Sequence, residues 1–191
     1  MLNVDQIIND AVTYVAGLLG DNSGGHDTEH SFRVYQNALK IASDEPGCDL
    51  TIVSLAAILH DVDDHKLFDS SNNENARKFL KSQNVPDDRT EEICRVINSV
   101  SFSKNRGKKP ETPEGMIVQD ADRLDAIGAI GIARTFAYGG EHGRSISESV
   151  QHFYDKLLLI KDELNTDTAK AIASKRHAFL EAYIAELKEE L

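Results

Sequence analysis

The segment LAAILHDVDDHK, residues 55–66, decides how the rest of the chain reads. An apolar run stops at Leu59, and five of the next six residues are His60, Asp61, Asp63, Asp64 and His65. Residues 50–60 are apolar almost all round, which predicts a helix buried at the centre of a fold, capped by Asp49. Imidazoles and carboxylates at the end of such a helix are costly unless something pairs with them. Neighbours in mid-helix diverge by about 100°. His60 and Asp61 therefore share one partner most easily at the helix end, with that partner beyond the last turn.

Helical periodicity extends outward from this segment in both directions. Val4, Ile7, Ile8, Ala11, Val12, Val15, Leu18 and Leu19 recur at helical spacing, with Gly20 as a C-cap. A second helix begins after Asp27 or Thr28 and runs to a break at Pro46-Gly47. Ser71 with Glu74 predicts a capping box for a helix over 72–83, and Ser145 with Glu148 another for 146–163. Thr112 and Pro113 open a helix through EGMIVQDADRLDAIG. The pattern over 166–190 is one long amphipathic helix. No stretch alternates with period two, and no internal repeat appears. FSKNRGKKPETP, carrying Lys104, Arg106, Lys108 and Lys109, is a polar loop. Gly128 and Gly131 read as packing positions that let another helix approach. The expected fold class is all-α: a single multi-helix domain over 1–191, with C-terminal helices 146–190 packed on its core.

The chain has 191 residues, is 40% hydrophobic and carries a net charge of -11. That charge argues against a nucleic-acid polymer or an anionic membrane as partner, because phosphate backbones are bound by clustered Lys and Arg. It does not argue against a small phosphorylated ligand, which needs only a few local cations. Cys48 and Cys94 are not closely spaced, which fits a reducing compartment and no disulfide framework. The first twenty residues read as an amphipathic helix rather than a signal peptide. No apolar run approaches the ~18 residues of a membrane span. A cytoplasmic protein is expected, and a homo-oligomer is left open.

Three clusters hold metal-ligating side chains: HDTEH at 26–30, HDVDDH at 60–65 and QDADRLD at 119–125. On the second helix His30 shares a face with Val34, Asn37 and Ile41 and can point inward. In the third cluster Asp122 shares a face with Val118, Asp125 and Ala129, while Asp120 and Leu124 lie on another. Each cluster has an ordinary structural explanation. His30 could be a satisfied core histidine, Asp120, Asp122 and Asp125 a solvated face, Asp63 and Asp64 a polar turn, and Asp27 a helix cap. What coincidence explains poorly is the conjunction: an inward His, a His-Asp doublet ending a buried helix, and an Asp on a semi-apolar helix.

The order His, His-Asp, Asp resembles the HD-domain superfamily of metal-dependent phosphohydrolases. GHDTEHSFRV, LAAILHDVDDHK and VQDADRLDAIGAIGIARTFAYGG resemble a subgroup of small bacterial HD hydrolases associated with nucleotide pyrophosphohydrolase activity. The resemblance covers about residues 20–140. It implies that His30, His60, Asp61 and Asp122 are the metal ligands, Asp122 being the Asp of the family's Ala-Asp-x-Leu pattern. His26 and Asp27 match the subgroup too and are carried as substrate-site candidates. Asp64, or its neighbour Asp63, is the nearest equivalent of an acidic residue that activates water in nucleotide-cleaving relatives.

Two imidazoles and two carboxylates leave about two positions open on an octahedral ion, unlike a closed structural zinc site. Such a set suits Mn2+ first, with Fe2+, Co2+, Ni2+ or Mg2+ as alternatives. The ion would lower the pKa of a bound water and polarise a phosphoryl oxygen. A polyphosphate entering so acidic a site needs local cations. Lys66, Arg33, His65 and Arg134 are the candidates, with the 104–109 loop as a lid. Arg123 neighbours Asp122 but is expected at the surface. The expected activity is cleavage of a nucleoside triphosphate to monophosphate and pyrophosphate. The alternatives are a phosphomonoesterase, a non-catalytic metal- or nucleotide-binding regulatory module, and a structural helical adaptor.

Overall fold

The computed structural model describes residues 3–20, 28–65 and 67–191. Among them no strand occurs, and ten α-helices and one 3-10 helix account for the regular structure. The apolar segment forms α3, Leu50–Leu59, with Ile52 through Leu59 all buried. The Asp49 carboxylate caps it, accepting from the amides of Thr51 (2.9 Å) and Ile52 (3.2 Å). Full burial of each large side chain contributes about 1.5–3 kcal/mol, so α3 takes the centre of the bundle. Four helices pack around it: α1 (Val4–Leu19), α2 (Thr28–Ala42), α5 (Asp87–Val100) and α7 (Pro113–Asp125). No described helix is long and apolar enough to cross a membrane.

The remaining helices flank this bundle. α4 spans Glu74–Ser82, and the short α6, Phe102–Asn105, lies inside the sequence read as a polar loop. α8 (Gly128–Glu141), α9 (Ile146–Asp155), the 3-10 helix Leu157–Glu163 and α10 (Asp167–Glu190) pack on one another, and α10 also contacts α7. One hydrophobic core runs from Ile7 through to Ile184.

Two local expectations are corrected. Ser71 and Glu74 form no capping box. The chain enters α4 through Asn72 and Asn73, both left-handed, and Asn73 makes no side-chain cap bond. The cap comes from Asp63, whose two oxygens accept from the amides of Asn75 (2.9 Å) and Ala76 (3.0 Å). Ser145–Glu148 is a true capping box, but its helix stops at Asp155 because Lys156 leaves helical geometry at φ -139°. The following 3-10 turn, with its three-residue period, keeps Leu157 and Ile160 buried together.

The glycines of α8 pack as read, though against different neighbours. Gly128 has φ 81° and lies under the Arg176 side chain of α10. Gly131 sits on its own chain, where an added Cβ would come within 2.2 Å of the Ala126 carbonyl oxygen. Gly131→Ala is therefore expected to destabilise by about 1–3 kcal/mol through overpacking. Gly140→Ala, with nothing within 4 Å, should be neutral or slightly stabilising. Urea unfolding of the two variants compares them directly.

Candidate metal centre and cavity

Each candidate ligand is held by its own element. His60 is the C-cap of α3, and its Nδ1 lies 2.9 Å from the Ala57 carbonyl oxygen. A carbonyl only accepts, so Nδ1 carries the proton and Nε2 presents a lone pair. His30 projects from α2, with Nδ1 2.8 Å from Oδ2 of Asp125. The same logic leaves its Nε2 as an acceptor. The two Nε2 atoms are 3.3 Å apart. Asp61 Oδ2 lies 3.4 Å from Nε2 of His30 and 3.3 Å from Nε2 of His60. Asp122 Oδ1 lies 3.4 Å and 3.9 Å from the same two nitrogens.

Four acceptors thus converge with no donor among them, and a cation is what such a group requires. Donors about 2.1 Å from a single ion lie about 3.0–4.2 Å apart, the range observed here. His30, His60 and Asp122 also meet the spacing of a metal-holding group by themselves. The titration behaviour agrees. Burial alone would push His30 down, but Asp122, Asp125 and Asp61 outweigh it and raise its pKa well above the ordinary value. His60 is raised against its burial mainly by Asp61. Burial would push Asp122 up, and His30 and His60 bring it below the usual carboxylate range. Without an ion the site attracts protons, and a divalent ion would displace them.

Behind His30 stands a residue that the sequence reading placed on the correct helix face but did not include in the site. Asp125 is buried and accepts from His30, from Arg33 Nε (2.8 Å) and from Arg134 (2.6 Å). These partners outweigh its burial and hold it well below the usual carboxylate range. The three-residue step from Asp122 to Asp125 was the available signal. Arg33 pairs with Asp125 and Glu29 and is not among the residues lining the cavity. Asp120 is also fully buried, but on the opposite side, where it accepts from the backbone and side chains of Asn165 and Thr166 at the start of α10. Arg123 corrects the surface expectation: it is 2% exposed and donates to the carbonyls of Glu163 and Asn105.

A cavity of about 570 Å³ opens beside the four acceptors. Asp64 lines it with its side chain 12% exposed, and His65 stands at the rim, 56% exposed. Asp63 borders it as well, but both of its oxygens are committed to α4. Arg134 and Lys104 contribute cations. The loop after Lys104 is tethered rather than loose: Gln119 donates to the Lys108 carbonyl (3.3 Å) and Arg123 to that of Asn105. His26, Asp27 and Lys66 lie outside the described residues. The opposite wall, with Tyr138, Arg144, His152 and Lys156, was not anticipated from the sequence.

The HD-domain family model matches residues 28–127, which include all four acceptors. The chain belongs to the HD-domain family. This HD-domain protein is 39% identical over 188 residues to the uncharacterized protein YpgQ of Bacillus subtilis, covering 94% of this chain and 91% of that one. The crystal structure of YpgQ in complex with ADP superimposes with a TM-score of 0.80 at 35% identity, covering 98% and 94% of the two chains. An HD-superfamily hydrolase from Bacillus thuringiensis gives a TM-score of 0.81 at 36% identity, covering 98% of both.

Within this HD-domain protein Asp125 fixes the tautomer and orientation of His30. Asp125→Asn keeps the shape but removes the charge, and is expected to weaken Mn2+ binding about 10- to 100-fold. Calorimetric Mn2+ titration of the variant against wild type measures this.

Proposed function

We propose that this protein hydrolyses a nucleoside triphosphate to the monophosphate and pyrophosphate with the help of one divalent ion, Mn2+ being preferred. The broad class, an HD-family metal-dependent phosphohydrolase, rests on family membership and on the convergence of His30, His60, Asp61 and Asp122. That convergence in the lining of a ligand-sized cavity is the observation that carries the reading. The ADP held by YpgQ supports a nucleotide as substrate. The continuous core supports one domain acting as a unit.

His30, His60, Asp61 and Asp122 would hold the ion, which supplies a polarised phosphoryl oxygen and a water of lowered pKa. The chain's own residues do the rest. Asp64, which lines the cavity, takes the proton as the water oxygen attacks the α-phosphorus, while both oxygens of Asp63 are committed to α4. The bond from that phosphorus to the bridging oxygen breaks, and pyrophosphate leaves with the electron pair. Asp125, braced by Arg33 and Arg134, keeps His30 aligned throughout. The α3 terminus fixes His60 and Asp61 relative to each other.

The test is incubation of metal-stripped protein with Mn2+ and a panel of ribo- and deoxyribonucleotides, with products resolved by ion exchange. Monophosphate plus pyrophosphate is expected. Nucleoside plus orthophosphate from a monophosphate would make it a phosphomonoesterase, and retained metal with no product would favour a regulatory module.

A further inference from the structure

The cavity has two chemically unlike walls. The metal side, His30, His60, Asp61, Asp64 and Asp122, comes from the segment that the family model matches. The far side, with Tyr138, Arg144, His152 and Lys156, lies wholly beyond residue 127. In a chain of net charge -11, this wall gathers basic side chains. Aromatic rings organise them. Lys156 Nζ is 4.5 Å from the centre of the Phe102 ring, and the Arg123 guanidinium carbon is 5.9 Å from the same ring. The Arg144 guanidinium carbon is 5.2 Å from the centre of the Tyr138 ring.

Beneath the wall, Arg123 is a buried cation lining the cavity, and its Nε has no hydrogen-bond partner among the described residues. Glu163 is its nearby carboxylate, at 3.7 Å, and that residue also faces Arg106. The His152 imidazole is pushed down by burial and then by Lys156 and Arg144, with Asp155 opposing them. Cationic side chains gathered around a partly desolvated cavity suit an anion bound between them. The metal side cannot supply that anion's counter-charge in full, because its own carboxylates repel each further phosphate.

We propose that Arg144 and Lys156, with Arg123 beneath them, form an anion subsite for the phosphate groups beyond the one attacked, so that the protein selects a polyphosphate chain over a monophosphate. The subsite rests on the nucleotide-hydrolase reading above. Arg144, in the connection between α8 and α9, and Lys156, between α9 and the 3-10 helix, place most of the selection for chain length beyond the matched segment, while Arg123 contributes from α7 beside Asp122.

The test uses the Lys156→Gln/Arg144→Gln double variant of the full chain. Tripolyphosphate presaturated with Mg2+ is titrated calorimetrically in Mg2+ buffer, with orthophosphate as the control. The variant should bind tripolyphosphate about tenfold or more weakly. Its orthophosphate affinity, Mn2+ stoichiometry and unfolding midpoint should stay near wild type. In parallel kinetics, KM for a nucleoside triphosphate should rise more than kcat falls. Equal tripolyphosphate affinity in the two proteins, no binding to wild type, or an unchanged KM would each overturn the subsite. If wild type binds tripolyphosphate but cleaves no nucleotide, the hydrolase reading fails, whereas weaker binding by the variant still upholds the subsite. Should the double variant not fold, Arg144→Gln alone, at an exposed position, carries the same comparison.

Discussion

Asp61→Ala is expected to abolish both metal retention and nucleotide turnover. Asp61 Oδ2 lies within 3.4 Å of both imidazole Nε2 atoms, so it closes the acceptor group from the α3 side. Its neighbour Asp122 bears the like-charge repulsion of Asp61, which disfavours its charged form. Removing Asp61 should therefore leave the metal-free fold intact while taking away one of two negative ligands. Metal content after purification without chelator, together with activity at saturating Mn2+, gives the readout. A variant that turns over at the wild-type rate would remove the account of the site.

Asp64→Ala should separate chemistry from metal binding. Asp64 lines the cavity, and its Oδ1 lies 3.6 Å from Nδ1 of His65. If Asp64 takes the proton from water, its loss slows kcat by about 10²- to 10⁴-fold while Mn2+ still binds at wild-type stoichiometry. Asp63→Ala is the natural comparison. It should cost about 0.5–2 kcal/mol of stability through the lost cap of α4 and leave kcat largely in place. A rate loss at Asp63 rather than Asp64 would exchange the two assignments.

The elements that were legible in the sequence are those whose causes are local. Asp49, Thr112 and Ser145 each cap a helix through an amide two or three residues away. The all-round apolarity of residues 50–60 correctly made α3 central. What the sequence hid depends on distant partners. Asp63 caps a helix 12 residues on, and Asp120 binds the start of a helix 45 residues on. Both looked like metal- or solvent-facing carboxylates until their partners were placed. Arg123 looked exposed beside Asp122, yet its partners Asn105 and Glu163 come from two other segments. The basic wall escaped notice for the same reason, since Arg144 and Lys156 reach the cavity only through the packing of α8 and α9 on one another.

The helix-face argument did isolate His30 and Asp122, because spacing on one helix is a local property. It could not show that the lone pairs of His30 and His60 face each other, which follows from the Ala57 carbonyl and from Asp125. That detail is what turns a cluster of polar residues into a cation-demanding one.

The most direct measurement follows Mn2+ occupancy and nucleoside triphosphate hydrolysis in the same titration of chelator-stripped protein. Activity is predicted to be absent at the start, to rise in step with bound Mn2+, and to level off near one ion per chain. Full hydrolysis in the presence of excess chelator would contradict the central claim that the four converging acceptors act by holding a divalent ion.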